Sequence, residues 1–127
     1  MYLNKCDFAY NFASANDGGG GGGAVFALDV YANNSQFFDN SSDDWGGAFY
    51  AYDYFNVQKS YFSTNYGYYG GAIFGLNDAG NVSSSTFSSN DAGCRGGAIY
   101  TDSSGTDVLV ISNSMFVDNS ASHDGDC

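Results

Sequence analysis

The apolar positions of this chain fall into two short phrases that alternate along it. One reads apolar-x-x-Ser/Cys-x-Phe-x-x-Asn: LNKCDFAYN (3–11), ANNSQFFDN (32–40), VQKSYFSTN (57–65), VSSSTFSSN (82–90) and ISNSMFVDN (111–119). The other is a glycine pair that runs into a strand-like triplet: GGAVF (22–26), GGAFY (46–50), GGAIF (70–74) and GGAIY (96–100). Neither phrase has the 3.6-residue spacing of a helix. Each is a short strand-like run bounded by Gly, Asn, Ser or Asp. The recurring Phe8, Phe37, Phe62, Phe87 and Phe116 follow one another at 29, 25, 25 and 29 residues.

A period near 25 that holds two or three short strands and no helix predicts an all-β parallel β-helix, a single-stranded solenoid of about five coils. The whole of residues 1–127 reads as one domain. Rungs in such a stack repeat every ~4.8 Å, giving a stub roughly 20–25 Å tall. Equivalent positions then lie above one another. The five Phe become an internal stack, and Leu3, Val57, Val82 and Ile111 an aliphatic column. Cys6, Ser35, Ser60, Ser85 and Ser114 become a column of small residues, as do Ala13, Ser42, Gly67, Ala92 and Ala121. Asn11, Asn40, Asn65, Asn90 and Asn119 are expected at a corner, in left-handed backbone geometry, with their amides hydrogen-bonded from rung to rung. The glycine pair is expected at another corner, where φ > 0 or the close approach of a neighbouring backbone excludes a side chain. Tyr50 and Tyr100, like Phe26 and Phe74, follow the GGA strand and are expected in part to be core.

Composition agrees. Hydrophobic residues make up 43% and aromatic residues 18%, enough for a core despite 18 glycines. Proline is absent and all fourteen acidic residues are Asp, which suits turns, whereas Glu suits helices. The net charge of −11, with only Lys5, Lys59 and Arg95 positive, excludes nucleic acid and disfavours an anionic membrane surface. No apolar run is long enough to span a bilayer as a helix. The start, MYLNKCDFAY, shows no signal peptide.

The two phrases together resemble the GGA(I/L/V)–FxxN repeats of chlamydial polymorphic outer membrane proteins. The likeness rests on GGAV, GGAF, GGAI and GGAI and on FAYN, FFDN, FSTN, FSSN and FVDN, and it covers nearly the whole chain. It implies the pectin-lyase-like, right-handed form of the β-helix, and an extracellular or cell-surface setting, since members are typically large surface passengers implicated in adhesion. Lacking a transmembrane barrel and a signal peptide, the chain is expected to be a part of such a protein or a small self-assembling relative.

Catalysis is not expected. Lyases on this scaffold need a base beside calcium, yet Lys5 and Lys59 hold equivalent places in their repeats and read as surface variation. Asp39 and Asp118 precede ladder asparagines but lie three coils apart, roughly 14 Å, too far for a hydrolytic pair. His123 is the only histidine. No cofactor is expected except calcium, which the turn residues Asp43, Asp44, Asp78, Asp102 and Asp107 could ligate, relieving the self-repulsion of the charge. Asn33 and Asn81 lie in N-x-S sequons and are the candidate glycosylation sites; Asn40 also satisfies the pattern but belongs to the ladder. Cys94 and Cys127 fit a bridge between adjacent coils, with an intermolecular bond through Cys127 the alternative.

Function then turns on the two ends. Neither carries a recognisable cap, and an uncapped solenoid exposes unpaired backbone groups. One expectation is head-to-tail stacking of identical chains into a filament. The other is a surface stalk or adhesin that binds glycans through an aromatic side face, with Trp45, Tyr68 and Tyr69 aligned on successive coils.

Overall fold

The computed structural model describes residues 1–15, 20–77, 80–103 and 108–122. Every strand pairing in it is parallel, and three sheets form the faces of a β-solenoid with five phenylalanine levels and about four complete turns. The second sheet stacks the FxxN strands Asp7–Ala9, Gln36–Phe38, Tyr61–Ser63, Thr86–Ser88 and Met115–Val117. The third stacks the strands that follow each Asn: Phe12–Ala13, Ser41–Trp45, Tyr66–Tyr69, Asp91–Arg95 and Ser120–Ala121. The first sheet takes both the GGA triplets and the runs before each Ser/Cys. These are continuous in Val25–Asn33 and Phe49–Gln58, and divided in the next turn into Ile73–Gly75 and Gly80–Ser83.

Register follows the repeat. Phe8, Phe37, Phe62, Phe87 and Phe116 pair in sequence. Their rings stack at centroid separations of 5.0, 4.6, 4.7 and 4.7 Å, near the rung spacing. The three middle rings are fully buried, each worth about 1.5–3 kcal/mol of transfer from water. The aliphatic column runs Leu3, Ala32, Val57, Val82, Ile111, so Ala32 fills the level that the repeat phrase leaves without a branched residue.

The corners differ from expectation in an instructive way. The asparagines are not the left-handed residues; the positions just before them are. Tyr10, Asp39, Thr64, Ser89 and Asp118 have φ between 51 and 57°. Lys5, Asn34, Lys59, Ser84 and Asn113 do the same before the Ser/Cys column, at 47–54°. The left-handed residue swings the next side chain inward along the stack. There it becomes a backbone surrogate. Asn65 Oδ1 accepts from the Asn40 backbone N–H (3.1 Å) and from Asn40 Nδ2 (3.0 Å), while Asn65 Nδ2 donates to Asn90 Oδ1 (2.9 Å) and to the Phe37 carbonyl (3.0 Å). The serines work likewise: Ser60 Oγ accepts the Ser35 N–H at 3.1 Å and donates to the Gln58 carbonyl at 2.8 Å. These bonds hold buried asparagines and serines without a desolvation penalty.

In the glycine pairs the two members have separate reasons. The first has positive φ in three of the four pairs, at Gly46, Gly70 and Gly96. The second is pressed against the next rung, where a Cβ at Gly47 or Gly71 would collide with the carbonyl of Gly71 or Gly97. The triplet after each pair alternates. Val25, Phe49, Ile73 and Ile99 pack in or against the core, whereas Phe26, Tyr50, Phe74 and Tyr100 form an aromatic column outside it. Tyr50 and Phe74 are therefore buried, but beneath neighbouring aromatics rather than in the solenoid interior.

Candidate interaction surfaces

The stack offers two ends and a wall of outward side chains. At the C-terminal end an open hollow of about 540 Å³ is lined by Ala98, Ile99, Leu109, Ile111, Phe116 and Asn119, among others. Val110, Ile111, Met115, Phe116 and Val117 are each 38–54% exposed there. Within the stack every ladder N–H donates upward, as in Ser85 N–H to Ser114 Oγ (3.1 Å) and Asn90 N–H to Asn119 Oδ1 (3.1 Å). Among the described residues, the N–H groups of Ser114 and Asn119 have no such acceptor. At the N-terminal end Tyr2, Tyr10 and Phe12 are 83, 75 and 62% exposed. There Asn11 Oδ1 and Cys6 Sγ occupy the acceptor positions that Asn40 and Ser35 fill one rung higher. The ends thus present complementary groups: donors over an apolar hollow at one, acceptors beside apolar side chains at the other.

On the third-sheet side, Trp45 and Tyr69 stand in register and stack at 5.3 Å, with Arg95 next in the column. Tyr68 does not join this column. It packs edge-on to Tyr69 (4.9 Å) above Gly93, where a side chain would strike its ring. The column instead meets the outer ring row, with Trp45 4.7 Å from Phe74 and 6.2 Å from Tyr50. A lateral aromatic surface exists, two columns wide, and its outlying members Phe26 and Tyr52 are exposed.

The acidic turn residues are spread over different rungs. Asp43 is exposed and Asp44 half-buried on Ser41–Trp45; Asp102 is exposed just beyond Ile99–Thr101, its N–H donating to the Gly75 carbonyl (2.9 Å). Asp78, Asp107, His123 and Cys127 lie outside the described residues. Among the described residues no three carboxylate, thiol or imidazole groups gather closely enough to share a metal ion. Burial pushes the Asp44 carboxyl above the usual carboxylate range. As pH rises from acid, the unfolded chain ionises at this position before the folded one, so stability falls across that interval. Asp44→Asn is expected to remove this slope, which urea midpoints between about pH 3 and 6 would show.

Both sequon amides are engaged in the fold: Asn33 Nδ2 donates to Asn4 Oδ1 (3.0 Å) and Asn81 Nδ2 to the Tyr54 hydroxyl (2.6 Å). Ser35, the hydroxyl residue of the Asn33 sequon, is buried. Cys6 is a free, half-buried thiol, and Cys94 is buried and disulfide-bonded.

No curated protein sequence and no solved structure matches the chain. Residues 34–52 and 84–102, each running from the left-handed residue before a ladder serine through Phe, Asn and the GGA strand, match the Chlamydia polymorphic membrane protein repeat.

Proposed function

We propose that this chain is a cell-surface structural β-solenoid whose copies stack end to end into a filament. The surface setting rests on the membrane-protein repeat that two of its turns match. The stacking rests on one observation above all, the complementarity of the two ends. Asn119 N–H and Ser114 N–H of one copy would meet Asn11 Oδ1 and Cys6 Sγ of the next, the relation every internal rung already has. Phe8 and Leu3 would enter the hollow beside Phe116 and Ile111, continuing the Phe and aliphatic columns. Such a contact is heterologous and does not close, so it grows.

Negative-stain electron microscopy of purified protein at neutral pH is expected to show fibres with an axial repeat of roughly 24 Å, five rungs. Phe116→Asp, at an exposed position of the end rung, is expected to leave single stubs that remain folded by circular dichroism. Single stubs from the unaltered chain, at concentrations where self-association would be complete, refute the filament.

A second reading, adhesion to glycans through the lateral aromatic surface, is favoured by the stacked Trp45 and Tyr69 with their flanking rings. Loss of glycan retention in Trp45→Ala would support it, provided the variant stays folded by circular dichroism.

A further inference from the structure

One strip of the side wall is apolar where solvent reaches it. It starts on the outside of the first sheet, at the irregularity between Val25–Asn33 and Phe49–Gln58, where Ala27 pairs with Ala51 but Asp29 with Tyr54. Leu28 therefore opposes two residues, Tyr52 and Asp53, a bulge that leaves Tyr52 exposed and Asp53 half-buried. The next two rungs continue the strip. Leu76 N–H donates to the Ala51 carbonyl (3.1 Å), Asn77 N–H to that of Tyr52 (3.0 Å) and Asp102 N–H to that of Gly75 (2.9 Å). Leu28, Tyr52, Leu76 and Asp102 thus form one column, with Phe26 beside its foot and Asp53 and Asn77 along its flank.

Phe26, Leu28 and Tyr52 are 58, 64 and 41% exposed, and Leu76 is half-buried. A contiguous apolar patch left in water marks a contact surface. Its charge says what kind of partner fits. Asp53 and Asp102 stand on the strip two rungs apart, ~9.6 Å by rung spacing. Burial first, and then the charges of Tyr52, Asp44 and Asp53, hold the Tyr50 hydroxyl above the usual tyrosine range, so carboxylates act on this face from both sides of Tyr50. The cationic side chains lie elsewhere. Lys5 and Lys59 occupy the corner before the serine column, and Arg95 Nη1 is turned to the Tyr100 hydroxyl (3.5 Å). A second copy of this chain would set the strip's carboxylates against their own kind, and an acidic partner would be repelled outright.

We propose that the strip docks a basic segment of another protein, whose aliphatic residues lie on Phe26, Leu28 and Tyr52 while its Lys or Arg residues reach Asp53 and Asp102. An extended chain rises ~3.3 Å per residue, so cations about three residues apart span the two carboxylates. Their hydrocarbon stems cover Tyr52 and Leu76 while the charged ends stay in water. A guanidinium over the Tyr52 ring adds a cation–π contact. The docking uses neither the stacked Trp45–Tyr69 pair nor contact between copies at their ends.

The test is fluorescence anisotropy of a labelled peptide RLLRLLR with the full chain, beside ELLELLE and RSSRSSR. RLLRLLR is expected to bind at micromolar concentration and more weakly as salt rises. RSSRSSR should bind about tenfold more weakly, for want of apolar contact, and ELLELLE not at all. Asp53→Asn with Asp102→Asn should weaken RLLRLLR about fivefold, the loss of two surface ion pairs. Leu28→Ser, at an exposed position, should also weaken it. Asp39→Asn with Asp118→Asn removes the same charge at the asparagine corner, at left-handed residues that Asn tolerates, and should change the affinity little. Circular dichroism checks that each variant is folded. No binding of RLLRLLR, equal binding of RSSRSSR, or an equal loss in the Asp39 and Asp118 control would each overturn the proposal, the last two by showing a diffuse attraction to a chain of net charge −11.

Discussion

Gly71→Ala is expected to cost about 3 kcal/mol or more, the top of the range for forcing atoms into a packed interior. The added methyl has nowhere to go. It would collide with the Gly97 carbonyl and lie 2.8 Å from both the nitrogen and the oxygen of Asp91, all of them backbone. Those atoms belong to the next rung, so relief requires prising rungs apart and weakening bonds such as Gly71 N–H to Gly96 O (3.0 Å) and Ala72 N–H to Ala98 O (2.8 Å). Gly21→Ala supplies the control. A Cβ there meets only Phe26 Cβ at 3.6 Å, an ordinary contact, and the change should stay within about 0.5 kcal/mol. Equilibrium unfolding in urea, followed by far-ultraviolet circular dichroism, compares the two. A Gly71→Ala midpoint close to that of Gly21→Ala would mean that the rungs are not held by close backbone approach.

That contrast shows which parts of the fold could be read from the chain. Columns are legible because each face of the stack repeats a chemistry: Phe over Phe, Asn over Asn, glycine pair over glycine pair. The conformation that builds the corners is carried instead by residues with no repeated identity. Tyr10, Asp39, Thr64, Ser89 and Asp118 share a left-handed backbone and nothing else. All five are exposed, so no packing selects their side chains. Their conformation costs about 1–2 kcal/mol per residue, and each is followed by a ladder residue whose bonds to the neighbouring rung can offset it. The left-handed position is thus one residue before the one expected, and Asn follows the bend rather than occupying it. The lateral surfaces were less legible still. Trp45 and Tyr69 sit at one distance from their glycine pairs and align, while Tyr68, one residue earlier, faces elsewhere because strand side chains alternate.

If the ladder imposes the corners, removing one central amide should damage more than its own level. Asn65→Leu keeps the branched outline of the side chain but replaces its amide by methyl groups and deletes four hydrogen bonds. It orphans the Asn40 backbone N–H and one Asn40 amide hydrogen, and takes a donor from both Asn90 Oδ1 and the Phe37 carbonyl. Asn40 and Asn90 are fully buried, so water cannot replace what is lost. At about 1–3 kcal/mol for each of the two stranded donors, the expected loss is about 2–6 kcal/mol, a large part of the 5–15 kcal/mol that holds a typical domain. The same change at the end of the column separates ladder from generic polarity. Asn119→Leu also strands the Asn90 N–H and an Asn90 amide hydrogen, but Asn119 is only half-buried and its amide serves no further rung among the described residues, so the change should cost less. Amide hydrogen exchange in Asn65→Leu should speed up at Asn40 and at Asp39, the left-handed residue before it, since its bend would no longer be enforced. Equal losses at Asn65 and Asn119, with protection at Asp39 unchanged, would show instead that the strands alone set the corners and that the amides merely occupy them.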